Sequence, residues 1–242
     1  MMKTLKEYII EGILDIEDNI ENAGKIVLAE TWLNEWRHYI KNGKVNSDGT
    51  INAKSVELYN LADFEIPEYI QFNEVEFFKV MNCQFITNCH GFPIKCKNVM
   101  IYDNASLSSL EGFHKNTYYE RLFISDDHDR IMKLNGLPPV KQLELIRLRR
   151  IDSLEGLSDC EELKIENCKS LKSLKGISKN IKKLQLLGCR SLKNLSAISK
   201  KKLKRLYIWM CKGLSEEYVK QFLDNDGILY YERILNYDEW NS

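Results

Sequence analysis

No stretch of this 242-residue chain approaches the roughly 20 consecutive apolar residues that a membrane-spanning helix requires. Glu7 and Glu11 interrupt the one candidate signal-peptide core. The chain is therefore expected to work in the cytoplasm of the cell that makes it, with no membrane partner. Catalytic signatures are missing too: there is no phosphate loop, H-E-x-x-H, G-x-S-x-G or paired C-x-x-C. His38, His90, His114 and His128 stand in unrelated contexts. Asp126, Asp127, His128 and Asp129 form the one cluster rich in metal-type ligands, and it reads as a solvated turn. Cys83, Cys89, His90 and Cys96 match no compact zinc spacing. Neither an enzyme, a metal nor a cofactor is expected.

Net charge is also absent, with 35 basic and 35 acidic side chains, so the whole-molecule charge says nothing about partners. Its distribution does. Residues 1–80 hold 15 acidic and 8 basic side chains, whereas 169–214 hold 14 basic and no acidic ones, so the molecule should be a charge dipole.

What is abundant is one spacing. Leu163, Ile165, Cys168, Leu171, Leu174, Gly176 and Ile177 are followed by Leu184, Leu186, Cys189, Leu192, Leu195, Ala197 and Ile198, and then by Leu206, Ile208, Cys211 and Leu214. Upstream copies start at Leu143, Leu122, Val99 and Phe78, with a degenerate turn at Val56, Leu58 and Leu61. The Leu122 copy gains a residue within SDDHDR, which puts His128 at the Cys position. A period of 20 to 23 residues implies a solenoid. Apolar residues two apart share one face of a strand, so each copy buries the inner face of a short strand against its neighbours, and glycine permits the turn back. Cys83, Cys89, Cys168, Cys189 and Cys211 fall on inward positions and read as core thiols, suited to a reducing compartment.

This pattern resembles the leucine-rich repeat family over roughly two thirds of the chain. The resemblance implies an α/β solenoid, a leucine-rich repeat horseshoe whose concave parallel sheet has about seven or eight strands. The short convex segments favour turns over full helices. The organisation expected is an amino-terminal helix over 1–22, a helical and hairpin cap over 23–54, repeats over 55–214 and a mixed carboxyl-terminal cap over 215–242. Asn42-Gly43 reads as a helix stop, Asp48-Gly49 as a hairpin turn and Ser215 as an N-cap. The residues 228–235, ILYYERIL, read as an edge strand.

Residues 2–11, MKTLKEYIIE, are similar to the capsid-targeting peptides of T-even-like tailed phages, whose prohead protease cuts after (Ile/Leu)-x-Glu. Ile9, Glu11 and Gly12 would then be the processing site. That likeness, with repeats familiar from large phages of gut bacteria, implies a phage protein. It would be an anti-defence or host-takeover factor, or a virion-packaged cargo.

The side chains between the buried strand positions include Tyr59, Met81, Tyr102, Phe123, Ile146, Leu187, Tyr207 and Trp209. They are too apolar for a face that meets only water, and are the candidate protein-binding row. A second candidate surface is a basic ladder of Lys169, Arg190 and Lys212, with Lys172 and Lys193 beside it, which could hold nucleic acid.

Overall fold

The computed structural model describes residues 5–62, 66–84, 86–114, 116–199, 202–223 and 230–234, with side chains described from Asp18 to Leu223 within those spans. Apolar alternation does what the spacing requires. Eight strands, β3 (Ile51–Tyr59), β4 (Phe72–Met81), β5 (Lys95–Tyr102), β6 (Tyr118–Ser125), β7 (Val140–Ile146), β8 (Cys160–Glu166), β9 (Lys183–Leu187) and β10 (Arg205–Trp209), lie side by side in chain order. All neighbouring pairs among them are parallel, so the molecule is a β-solenoid of about seven turns. Among the described residues no helix lies between β3 and β10; turns connect the strands, as the short convex segments suggest.

The register stacks like on like. Leu122, Leu143, Leu163, Leu184 and Leu206 are successive partners, as are Ile124, Leu145, Ile165, Leu186 and Ile208, and all ten are at most 2% exposed. The core changes character along the axis. Trp32, Phe72, Phe78, Phe92, Phe113 and Tyr119 form a chain of ring contacts with centroids 4.8 to 5.9 Å apart, and beyond Tyr119 the fill is aliphatic and cysteine.

The corner after each strand is the least ordinary part of the coil. Asn60, Asn82, Asp103, Arg147, Asn167, Gly188 and Met210 each follow a strand and have φ between 47° and 67°, a left-handed conformation that costs a non-glycine residue about 1 kcal/mol. In return, each N–H from Asn60 to Gly188 points at the next coil. Asn60 donates to Met81 O (3.0 Å), Asn82 to Tyr102 O (3.1 Å), Asp103 to Ser125 O (3.1 Å), Arg147 to Glu166 O (2.8 Å), Asn167 to Leu187 O (2.7 Å) and Gly188 to Trp209 O (2.8 Å). The parallel ladder is thereby carried one residue past the end of each strand. At Gly188 a Cβ would stand 2.4 Å from Asn167 Oδ1, so any side chain there would displace the Asn167 amide as well as strain the positive φ.

The next residue turns inward and satisfies backbone. Asn104 Nδ2 donates to Val80 O (3.2 Å) and its Oδ1 accepts from Cys83 N (2.9 Å). The thiols of Cys168, Cys189 and Cys211 donate to Leu145 O, Ile165 O and Leu186 O, at 3.4 to 3.7 Å. All seven cysteines are buried, and the five assigned to the repeat are core residues as the register demands. At the SDDHDR corner the expectation fails. Asp126, not His128, takes the inward place: it is 3% exposed, and its carboxylate accepts from the N–H groups of His128, Arg130 and Ile131. His128 is exposed. The extra length is absorbed by Asp129, at φ 57°.

The ends also depart from expectation. One continuous helix, α1 (Leu5–Trp36), replaces the two separate helical segments divided near residue 22. Ala29 and Trp32 are its buried residues from Asp18 onward, with Leu33 and Trp36 partly covered. Asn42-Gly43 does not stop this helix. It interrupts two short strands, β1 (Ile40–Lys41) and β2 (Lys44–Val45), that pair antiparallel with β3; Ile40 leaves the helical face to pair with Val56. The Asp48-Gly49 turn is as expected, closed by Asn46 N to Thr50 O at 2.8 Å. At the other end Ser215 Oγ accepts from Tyr218 N (3.1 Å) at the start of α2 (Glu216–Leu223). Strand β11 (Tyr230–Ile234) then runs parallel to β10. Residues 1–4, and Asp226-Gly227, lie outside the described residues.

Burial pushes the Cys96, Cys160 and Cys168 thiols up to about 12, and Cys89 higher still. Between pH 9 and 12 the folded chain therefore keeps protons that the unfolded chain has released. Stability is present in full below about pH 9 and falls as pH rises through that window. The urea midpoint should drop more steeply from pH 8.5 to 11 in the natural chain than in a Cys160→Ala, Cys168→Ala variant. Parallel slopes would contradict buried, protonated thiols.

Candidate binding surface

Strand alternation puts every second side chain on the sheet face opposite the core, and the register arranges these into three rows. The middle row is Glu57, Lys79, Met100, Phe123, Glu144, Lys164, Gln185 and Tyr207, and the row nearest the corners is Tyr59, Met81, Tyr102, Ser125, Ile146, Glu166, Leu187 and Trp209. All eight residues of the expected protein-binding row therefore lie on this one face. A third row, Ser55, Phe77, Asn98, Arg121, Gln142, Glu162, Lys183 and Arg205, exists because most strands run longer than the two outward positions assigned from sequence.

The apolar side chains do not form an unbroken row. Phe77, Met81, Met100, Tyr102, Phe123 and Ile146 are half-buried and gather over β4 to β7, with Tyr59 47% exposed at their margin. Tyr102 and Phe123 stack with ring centroids 6.3 Å apart, and Tyr59 meets Tyr39 edge-on at 5.8 Å. A charged strip then crosses the face. Arg121 bonds Glu144, Lys164 sits 2.8 Å from Glu166 and 3.8 Å from Glu144, and Lys183 is 3.7 Å from Glu162. Arg121, Glu144, Glu162, Lys164 and Lys183 line a depression of about 330 Å³. Leu187, Tyr207 and Trp209 lie beyond it and form a second apolar patch.

Arg147 ties the first patch down, and sequence reasoning missed it. From its left-handed corner its guanidinium carbon lies 5.6 Å from the Tyr102 ring centre. Nη2 donates to Tyr102 Oη (2.9 Å) and Ser125 Oγ (3.2 Å), and Nη1 meets Asp127 Oδ2 at 2.8 Å. The bond to the Tyr102 hydroxyl, and then the charge of Asp127, hold the guanidinium further towards its charged form. Asp127 also meets Arg149 at 3.4 Å, and Asp129 meets Arg149 at 3.8 Å. The SDDHDR carboxylates are thus directed at backbone amides and arginines instead of forming a solvated turn, and the described residues contain no group of three or more potential metal ligands. Phe77 could have been found from its spacing two before Lys79; Arg147 could not, because its direction depends on the corner.

The basic ladder forms as expected. Lys169, Arg190 and Lys212 hold equivalent places in successive coils, with Lys172 and Lys193 in a second row; all five are exposed and none makes an ion pair among the described residues. Ile9, Glu11 and Gly12 lie within α1, and their side chains fall outside the described residues. No helix among the described residues is long and apolar enough to cross a membrane. No protein-family model, curated protein or solved structure matches the chain.

Tyr102→Phe keeps the stack on Phe123 and removes one hydrogen bond from Arg147, so it should cost about 0.5–1.5 kcal/mol. Tyr102→Ala removes the stack and the cation–π contact as well and should cost about 1–3 kcal/mol in all. Chemical denaturation of the two variants checks the order; equal losses would show that the ring contributes nothing.

Proposed function

We propose that the chain is a leucine-rich-repeat-type binding protein that holds another protein on the exposed face of its parallel sheet, without chemistry of its own. The observation that carries this reading is the patch of Phe77, Met81, Met100, Tyr102, Phe123 and Ile146. Side chains of this kind, half-exposed on a rigid sheet and anchored by Arg147, are what hot spots of protein interfaces are made of. Pre-organisation matters here: six rigid positions on one sheet lose little entropy when a partner arrives. The charged strip over β7 and β8 then supplies a polar border that fixes the partner's register. The likeness of residues 2–11 to capsid-targeting peptides supports a phage setting, in which the partner is a host protein or a component of the particle.

A second reading has its own observation, since five exposed cations in two rows, free of ion pairs among the described residues, suit nucleic acid. Affinity capture from infected cells with quantitative mass spectrometry separates the two. A Tyr102→Ala, Phe123→Ala, Trp209→Ala variant should lose its captured partner by more than tenfold, the order expected when hot-spot residues are truncated. A Lys169→Glu, Arg190→Glu, Lys212→Glu variant should retain it. Loss in the second variant alone, with affinity falling steeply as salt rises, would overturn the protein-binding reading in favour of nucleic acid.

A further inference from the structure

Two large surfaces of the molecule have no use in that reading, and they are opposite in charge. The first is α1. From Asp18 to Leu28 every described side chain except the half-buried Ile26 is exposed, including Ile20 at 67%, Val27 at 60% and Leu28 at 47%. Among its described side chains the helix is held through Ala29, Trp32, Leu33 and Trp36, so Asp18–Leu28 stands exposed over about 15 Å at 1.5 Å per residue. Its sequence is one-sided: residues 7–24 contain six acidic and no basic side chains. Ile9, Ile13, Ile16, Ile20, Ala23 and Val27 follow one another at alternating steps of four and three, the spacing of a single apolar helical stripe. Its described members, Ile20, Ala23 and Val27, are exposed, without the cover that stabilises amphipathic helices in water.

The second surface is the carboxyl-terminal edge of the last coils. Lys169, Lys172, Arg190, Lys193 and Lys212 are exposed there, within a segment that has 14 basic and no acidic residues. Leu187 and Trp209 end the adjoining strands, three positions before Arg190 and Lys212. Coils repeat about every 4.8 Å, and residues three apart on a helix, as Asp15, Asp18 and Glu21 are, rise about 4.5 Å, so an acidic helix laid along the solenoid axis matches the spacing of the coils.

We infer that α1 of one molecule docks on the basic last coils of a second copy, building a head-to-tail assembly. Within one chain the two surfaces sit at opposite ends of the sheet, α1 beside β3 and the cations around β8 to β10. Pairing of two α1 helices with each other is disfavoured, because it would bring two runs of six carboxylates together, and among the described residues only Glu21 has an ion pair, with Lys25 at 2.6 Å. A head-to-tail contact of unlike surfaces does not close on itself at two copies and propagates to rings or filaments. The inference does not rest on the sheet-face binding reading, and it is tested on purified protein with no other partner present.

Sedimentation velocity of the full chain over a concentration series is the test. At about 50 mM salt the weight-average mass should rise at least about twofold with concentration, and at about 500 mM it should return to the monomer, as screening of exposed charges requires. A Lys169→Glu, Arg190→Glu, Lys212→Glu variant should stay monomeric at both salts, as should an Asp15→Lys, Asp18→Lys, Glu21→Lys variant. Mixed together, the two reversed chains should associate again, which a variant that merely failed to fold would not do. A monomer at low salt throughout the series, association that neither variant changes, or no recovery on mixing would each overturn the inference.

Discussion

Everything displayed by this molecule depends on one repeated hydrogen bond, from the N–H of a left-handed residue just past a strand to the strand-end carbonyl of the following coil. At six of the seven corners from Asn60 to Gly188 the donor takes a left-handed conformation that most side chains resist, while Asp126 makes the same bond to Ile146 O (3.3 Å) without it. What they gain is register. With the ladder extended past the strand, a coil cannot slip by one residue without exposing its leucines and burying its charges, and the strands of neighbouring coils end level with one another. The inward residue that follows completes the device: Asn104, Asp126 and the cysteine thiols each bond to backbone groups that the corner would otherwise leave buried and unpaired. A protonated thiol serves here as a small core residue with one weak donor, which accounts for cysteine recurring at a place where burial holds it protonated.

Level coils turn sequence positions into straight rows. Phe123 lies beside Met100 and Glu144 because three corners agree, and Tyr102 stacks on Phe123 from the adjoining row for the same reason. The face is therefore pre-formed and stiff, which favours recognition of a partner of fixed shape over adaptation to several. The charge asymmetry follows the same logic along the axis. Because each coil adds one copy of each position, a change in the residue type used at one position, from Asp152 to Lys172 and Lys193, changes the potential of an entire edge.

The repeating part of the fold was legible in the sequence because burial is strictly periodic: Leu163, Leu184 and Leu206 announce their strands with no help from context. The two candidate surfaces were legible as far as alternation alone determines them, so the eight outward positions and the five cations stand where expected. What could not be read depended on contacts between distant segments. Arg147 adopts the left-handed conformation against its own preference, because the next coil's carbonyl rewards it. Asp126 displaces His128 from the inward place because a carboxylate can accept three backbone N–H groups at a lengthened corner. At the amino terminus, α1 runs through Gly24 without the break expected near residue 22, and nothing stands within 4 Å of where a Gly24 side chain would be. Ile40 leaves the helix for a strand pairing that only the folded cap provides.

Native-state amide hydrogen exchange tests the claim about the corners most directly. If the corner bonds set the register, the amides of Asn60, Asn82, Asp103, Arg147, Asn167 and Gly188 should be protected to the same extent as those of the strands they follow, on the order of a thousandfold or more over an open loop. Corner amides that exchange at loop rates while the strands stay protected would show that the coils are held by side-chain packing alone, and would contradict the account.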